Sequence, residues 1–363
     1  MWLRPSWSDE NNFEKKLLGL SYRLSKTILF DDVFDHLAFL IQHEIFGHGA
    51  RYREFGYTDN SYRLHLIFPY GDSKGWAFTG TPDPLREVSS SESLLMTIGG
   101  FEAESLLSQE IYFRWVERGA IHYRETLLYL FSSLNLSSYI IRTKYNLSGE
   151  EGNDVLNYLR KINSTSGIPE SPEDPLTIDD LAVRTLVSAV NPFVYFSLCA
   201  YFYHYLWEGR ETMLLPMIRI GRFKVLPFFR FSLAPYGTEF YFETYAAFPE
   251  KTARFYIRYG SSDFKGSRGG GLSIGDLIKS PEFSLRARMD IWNQPALVLG
   301  GETTRETRSG LGGAIFCNLF YKLTRGSFIM GITADIGYKT EGYLEGEKLG
   351  RGMIFRAGLG FLE

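Results

Sequence analysis

Ten residues hold the densest chemistry in the chain: Gln42-His43-Glu44-Ile45-Phe46-Gly47-His48-Gly49-Ala50-Arg51. Two histidines flank a carboxylate, and imidazoles beside a glutamate are the usual parts of a hydrolytic zinc site. His43 and His48 would hold the ion, and Glu44 would take the proton from an attacking water. The spacing is unusual. The common helical motif sets its histidines four residues apart, whereas these follow the pattern H-E-x-x-x-H, five apart. On a regular helix that turns the two side chains roughly 140° apart. They converge only where the helix widens or breaks, and Gly47 is well placed for that. The competing reading is a pair of polar groups capping a buried helix, with Glu44 and His48 paired one turn apart.

Several elements must position these residues. The apolar run Val33–Ile41 reads as a helix over about 31–48, with Asp31 and Asp32 suited to its positive end. His36 lies seven residues before His43, on the same face, as a supporting group or plain interior. Ser89-Ser90-Ser91-Glu92 opens a second helix, roughly 91–117, in which Gly99 and Gly100 allow close helix approach. Two histidines need a third ligand, and Glu104 and Glu102 are the candidates. Being two residues apart they lie on opposite sides, so only one can face His43. Arg51 is a candidate to orient Glu44 or steady an oxyanion.

The pattern H-E-x-x-G-H resembles the motif of the TldD-type metallopeptidases. That resemblance, confined to the motif, implies histidines on zinc and the intervening glutamate as catalytic base. The run Gly100-Phe101-Glu102-Ala103-Glu104 is similar to the G-x-x-A-E helix that packs on the motif helix in several zincin families, with Glu104 at the glutamate position.

Beyond this pair, an apolar third helix is expected over about 121–142, buried or touching lipid. Residues 146–178 are polar, around a short amphipathic helix near Val155–Ile162, and read as an exposed excursion. From Leu186 to Leu206 there is no charged residue, a length that can span a bilayer. Asn191-Pro192 interrupts it, which favours a split helix packed within the protein. His204 in this stretch is a satisfied core histidine or a further member of the site.

At about Met213 the pattern changes to period two. Phe283, Leu285, Ala287, Met289 and Ile291 alternate with Ser284, Arg286, Arg288 and Asp290. Phe255, Ile257 and Tyr259 alternate with Arg254 and Arg258, and Phe240 and Phe242 with Glu239 and Glu243. Charges inside and apolar groups outside are the signature of a transmembrane β-barrel, here of about eight to ten strands. The candidate strands are 213–221, 222–234, 238–248, 252–261, 268–277, 283–293, 296–305, 311–323, 327–339 and 349–361, the first and fifth being the least regular. The charged groups would pair across a narrow interior that side chains fill. A strand ending in Phe361 resembles the terminal signal of bacterial outer-membrane barrels, with Leu362-Glu363 as a cloning remnant. The lead Met1–Trp7 does not read as a signal peptide.

Composition agrees. Aromatic residues make up 16% of 363 residues, which suits membrane-interface belts. The net charge is −3, so no nucleic-acid partner is implied. Two cysteines give no disulfide framework. The expected fold class is α+β: a helical, metalloprotease-like region (1–212) followed by an antiparallel transmembrane β-barrel (213–361). The expected function is a zinc-dependent hydrolase of the bacterial outer membrane, most simply a metallopeptidase acting on peptide or protein. The lipid bilayer is its partner, and the helical region is placed on the periplasmic side. The alternative is a non-enzymatic barrel with a helical accessory region, serving transport, assembly or surface contact. A polytopic inner-membrane metalloprotease is the third reading, and the barrel-like second half speaks against it.

Overall fold

The computed structural model describes residues 13–67, 70, 77–80, 86–147, 152–164, 175–249, 251–260, 266–280, 282–300, 305–324 and 329–362. The Met1–Trp7 lead, the Thr81–Pro84 loop, the polar run 165–174 and Glu363 lie outside the described residues.

The chain opens with one long helical rod rather than the shorter helix expected over 31–48. It comprises α1 (Phe13–Lys26), a π-helical turn (Thr27–Asp31), α2 (Asp32–Ile41), a second π turn (Gln42–His48) and α3 (Gly49–Glu54). The junction residues Lys26, Gln42 and Gly49 all keep right-handed helical backbone, so the rod widens twice without breaking. A small hairpin follows, β1 (Ser61–Leu64) against β2 (Ala77–Gly80).

α4 (Ser90–Arg118) begins in a capping box. The Ser89 hydroxyl accepts from the Glu92 N–H at 3.2 Å, and the Glu92 carboxylate accepts from the Ser89 N–H at 3.1 Å. It ends at Gly119, whose φ of 66° is the left-handed stop that favours glycine. β3 (Ala120–His122), α5 (Tyr123–Lys144), α6 (Asp154–Ser164) and α7 (Ile178–Arg184) come next. A 3-10 turn (Thr185–Val190) leads to α8 (Pro192–Leu198) and a third π segment (Cys199–Trp207). Pro192 sits in the first turn of α8, where a missing N–H costs nothing, and Asn191 caps it. The chain bends by 62° there. Among the described residues no single helix is long and apolar enough to cross a membrane, while this bent pair meets the requirement by length and composition.

β4 (Thr212–Leu214) pairs with β3, closing the helical region. The remainder is β5 (Ile218–Ile220), β6 (Phe223–Ala234), β7 (Gly237–Phe248), β8 (Lys251–Gly260), β9 (Arg268–Lys279), β10 (Phe283–Gln294), the short pair β11 (Val298–Leu299) and β12 (Arg305–Glu306), β13 (Gly310–Lys322), β14 (Ile329–Lys339) and β15 (Gly352–Leu362). Nine strands form one antiparallel sheet, ordered β15-β14-β13-β10-β9-β8-β7-β6-β5. The fold is therefore α+β, a helical region followed by a nine-stranded antiparallel sheet. β5 and β15 are its end strands, and closure into a barrel is not among the described pairings. Two expected strands are corrected. The 213–221 strand is two pieces, of which Ile218–Ile220 joins the sheet. The 296–305 strand shrinks to β11, which pairs with β12 outside the sheet.

Period two places Phe255, Ile257, Met289 and Ile291 on the exposed face and Glu239, Glu243, Arg258 and Asp290 on the buried one. The buried charges pair mostly with neighbouring strands: Arg254 with Glu243 at 2.9 Å, Arg258 with Glu239 at 3.1 Å and Arg288 with Asp290 at 2.7 Å. α4 covers this face, and its Glu110 meets Arg286 at 2.6 Å. Helices and sheet share one core, in which Leu94, Ile98 and Tyr158 pack with Phe231, Tyr236 and Tyr343.

Candidate metal centre

The second π turn answers the spacing problem. A π turn closes i→i+5 bonds, so residue 48 returns over residue 43. His43 and His48 consequently face each other, with their Nε2 atoms 3.1 Å apart. Two glycine contacts hold this geometry. A Cβ on Gly47 would lie 2.6 Å from the Gly100 Cα and the Gly99 carbonyl, and a Cβ on Gly100 would lie 2.3 Å from the His43 ring. The rod and α4 thus touch backbone to backbone at the motif. Gln42 adds a bond from Nε2 to the Ala103 carbonyl at 2.9 Å.

Both rings are fixed from behind. His48 Nδ1 lies 2.7 Å from the Met96 carbonyl of α4. A carbonyl only accepts, so that nitrogen carries the proton. His43 Nδ1 lies 2.5 Å from Glu104 Oε1, which also accepts from Asn135 of α5 at 2.8 Å. When neutral, with the Nδ1 protons committed, each ring presents a bare Nε2 to the other; without an ion, and against the opposing effect of burial, Glu104 and Asp154 raise the His43 imidazole and Asp154 raises that of His48, so a proton takes the place of the cation. Asp154 completes the group: its carboxylate oxygen is 3.3 Å from His48 Nε2 and 3.6 Å from His43 Nε2. One donor atom from each of His43, His48 and Asp154 lies within 4.8 Å of the others. Two lone-pair nitrogens and a carboxylate oxygen in contact require a shared proton or a cation between them. The residues fit a divalent ion with nitrogen and oxygen ligands, and they form a possible metal-binding triad.

Asp154 is held by docking at the start and the middle of α6. Asn153 caps the helix, accepting from the Leu156 N–H at 3.0 Å, and donates to Thr143 at the end of α5 at 3.0 Å. Further along, the Tyr158 hydroxyl donates to the Ala234 and Gly237 carbonyls at the β6–β7 turn, at 2.9 and 2.6 Å. Burial works to raise the Asp154 carboxyl, but the adjacent His48 and His43 hold it well below the usual carboxylate range.

The other expected residues are distributed as follows. Glu44 is buried, and its Oε2 accepts from the Thr79 hydroxyl on β2 at 2.5 Å; it is not turned back to His48. Glu104 stands on the far ring nitrogen of His43, and the carboxylate beside the two Nε2 atoms is Asp154. Glu102 points the other way, as its two-residue offset requires, and binds Arg51 through both oxygens at 2.8 and 2.5 Å. Arg51 also meets Glu54 at 2.7 Å and the Glu347 carbonyl at 2.9 Å, so its contacts lie with these groups and not with Glu44. His36 packs edge-on against Phe131, and His204 pairs with Glu208 at 3.2 Å.

Two participants were not among the sequence candidates. Thr79 carries no local signal. Asp154 does: it opens an amphipathic segment whose Val155, Tyr158, Leu159 and Ile162 are all buried, so the segment docks and is no mere excursion. Comparisons with family models, curated proteins and solved structures find no match to the chain, and the TldD-type likeness stays confined to the motif residues.

Proposed function

We propose that this chain is a membrane-anchored, zinc-dependent hydrolase, most simply a metallopeptidase. The observation that carries the reading is the meeting of two bare imidazole nitrogens and a carboxylate, each locked from behind, next to a buried glutamate. His43, His48 and Asp154 would hold the ion, and Glu104 would fix the His43 ring and sharpen its basicity through Nδ1. The ion, when bound, would supply Lewis-acid polarisation of water and of a substrate carbonyl. Glu44 is the proton acceptor in this reading. The Thr79 hydroxyl holds one of its oxygens, leaving the other to take a proton from water and pass it to the leaving amine.

The apolar outer face of the sheet supports placement in a membrane, with the bacterial outer membrane as the proposed site. Elemental mass spectrometry on detergent-purified protein tests the metal. One zinc per chain is expected, absent from His43→Ala, His48→Ala and Asp154→Ala. A peptide-library cleavage screen with and without chelator then tests the activity. Metal retained in all three variants would sink the site.

A second reading keeps the cation but not the catalysis: a structural ion in a non-enzymatic membrane protein. The burial of His43, Glu44 and His48 favours it, because a catalytic ion needs an open coordination position. Cobalt substitution separates the two: a spectrum that changes with added azide reports an exchangeable position, and an inert one reports a closed site.

A further inference from the structure

The outer surface of the helices follows the same rule as the outer surface of the sheet. Along the rod from Leu17 to Phe46 the exposed side chains include Leu18, Tyr22, Ile28, Phe30, Phe34 and Phe46, and none of the exposed residues is charged. Arg23, Lys26 and Asp31 of this stretch have partners within the protein. Lys26 meets Asp31 at 2.6 Å and the Tyr123 hydroxyl at 3.0 Å, and Arg23 donates to the Leu206 carbonyl at 2.9 and 2.7 Å. A second stretch, 183–207, behaves alike, exposing Val183, Leu186, Val190, Tyr195, Phe202 and Trp207 and no charged side chain. The two stretches are neighbours, since α1 packs on the Cys199–Trp207 segment. Exposed charge resumes at Lys16, Arg53, Glu208 and Arg210.

We infer that these helices, and not the strands alone, face the acyl chains of a lipid bilayer, so that the helical rod carrying His43 and His48 forms part of the membrane-embedded wall. The inference rests on the membrane reading of the sheet and not on the hydrolase reading. Three observations favour lipid over a protein partner. The apolar surface runs over both helices and sheet, a shape that suits a solvent more than a single docking patch. The rod from Leu17 to Phe46 is about 44 Å long at 1.5 Å per residue, enough to cross a hydrocarbon layer of about 30 Å. Finally, a sheet edge left open in hydrocarbon would strand its backbone N–H and C=O groups. Helical segments lie near both end strands. The Thr185–Val190 turn packs on β6, next to end strand β5. On the other side Gln42, Phe46 and Ala50 face Arg356 of end strand β15 across a cavity of about 390 Å³.

The two native cysteines are reporters of the two surfaces. Cys199 is exposed on the helical wall and Cys317 is exposed on the outer face of β13. The full-length C317S and C199S variants, and Phe34→Cys in a chain with both native cysteines changed to serine, would be spin-labelled in detergent. They would then be reconstituted into phosphatidylcholine–phosphatidylglycerol vesicles, with collisions measured against oxygen, which enters lipid, and a charged nickel chelate, which does not. Labels at 317, 199 and 34 should all collide more with oxygen than with nickel. A label at 199 or 34 that meets nickel while 317 meets oxygen would overturn the inference and leave the membrane reading of the sheet intact. Nickel collisions at all three positions would remove both. Labels at 199 and 34 that collide with neither reagent would overturn it in favour of a protein partner on the helices.

Discussion

The inner face of the sheet and the contact between the rod and α4 both bury charge, and they do so differently. On the sheet the buried carboxylates Glu239 and Glu243 meet arginines. Glu243 receives Arg254 at 2.9 Å and Arg230 at 2.8 Å, and Glu239 receives Arg258 at 3.1 Å. Burial is tolerated there because donors meet acceptors in bonded geometry. At the motif, neutral rings would set acceptors against acceptors: His43 and His48 would present lone pairs to each other and to Asp154, with their Nδ1 donors spent on Glu104 and Met96. A complete network stabilises a fold, whereas an incomplete one of this donor set is a place for an ion. Under the proposed metal reading, the contrast separates the charges that hold the sheet together from those that would hold an ion.

Four substitutions, two of them read against a comparison variant, sharpen or break that contrast. The largest effect is expected from Glu44→Gln, which should lower peptide hydrolysis by about 10²–10⁴-fold with zinc content unchanged. Retained hydrolysis would remove Glu44 from the reaction. On the sheet, Glu243→Gln leaves two buried arginines without their shared anion, and should cost about 3–5 kcal/mol in a denaturant titration while zinc stays bound. Zinc lost in that variant, with the fold intact, would abolish the distinction drawn above. Gly100→Ala is expected to cost about 1–3 kcal/mol, since its methyl would sit 2.3 Å from the His43 ring. It should also displace that ring and lose metal, whereas Gly119→Ala, where a Cβ meets nothing within 4 Å, should keep metal and show only the strain of its positive φ. The smallest effect belongs to Glu104→Gln, which keeps the contact to His43 Nδ1 but weakens it. Zinc affinity should fall by about 10–100-fold, less than in Asp154→Asn. A reversed order, Glu104 mattering more than Asp154, would return Glu104 to the ligand set.

Some of this architecture is written locally, and so was legible. The alternation in 223–294 and 310–362 sets strand ends to within three residues, because side-chain direction along a strand has a fixed period and needs no distant partner. The capping boxes at Ser89 and Thr177 and the stop at Gly119 are equally local. The convergence of His43 and His48 was legible as a condition, that the helix must widen, with Gly47 marking where, and Gly99 and Gly100 marking where a second helix can approach closely.

The sequence by itself determined the two-part α+β character, the faces of the strands and the presence of two histidines and a glutamate able to do hydrolytic chemistry. Those follow from residue type and short-range period alone. Tertiary structure decided which carboxylate stands where. Glu102 and Glu104 differ by two positions on one helix, and only the contact with the rod sends one to Arg51 and the other to His43. Asp154 arrives from more than a hundred residues away because α6 docks on α5 and on the β6–β7 turn, a choice made by packing area and two tyrosine hydrogen bonds. A ligand set is a statement about distances between elements, and no period along one element contains it.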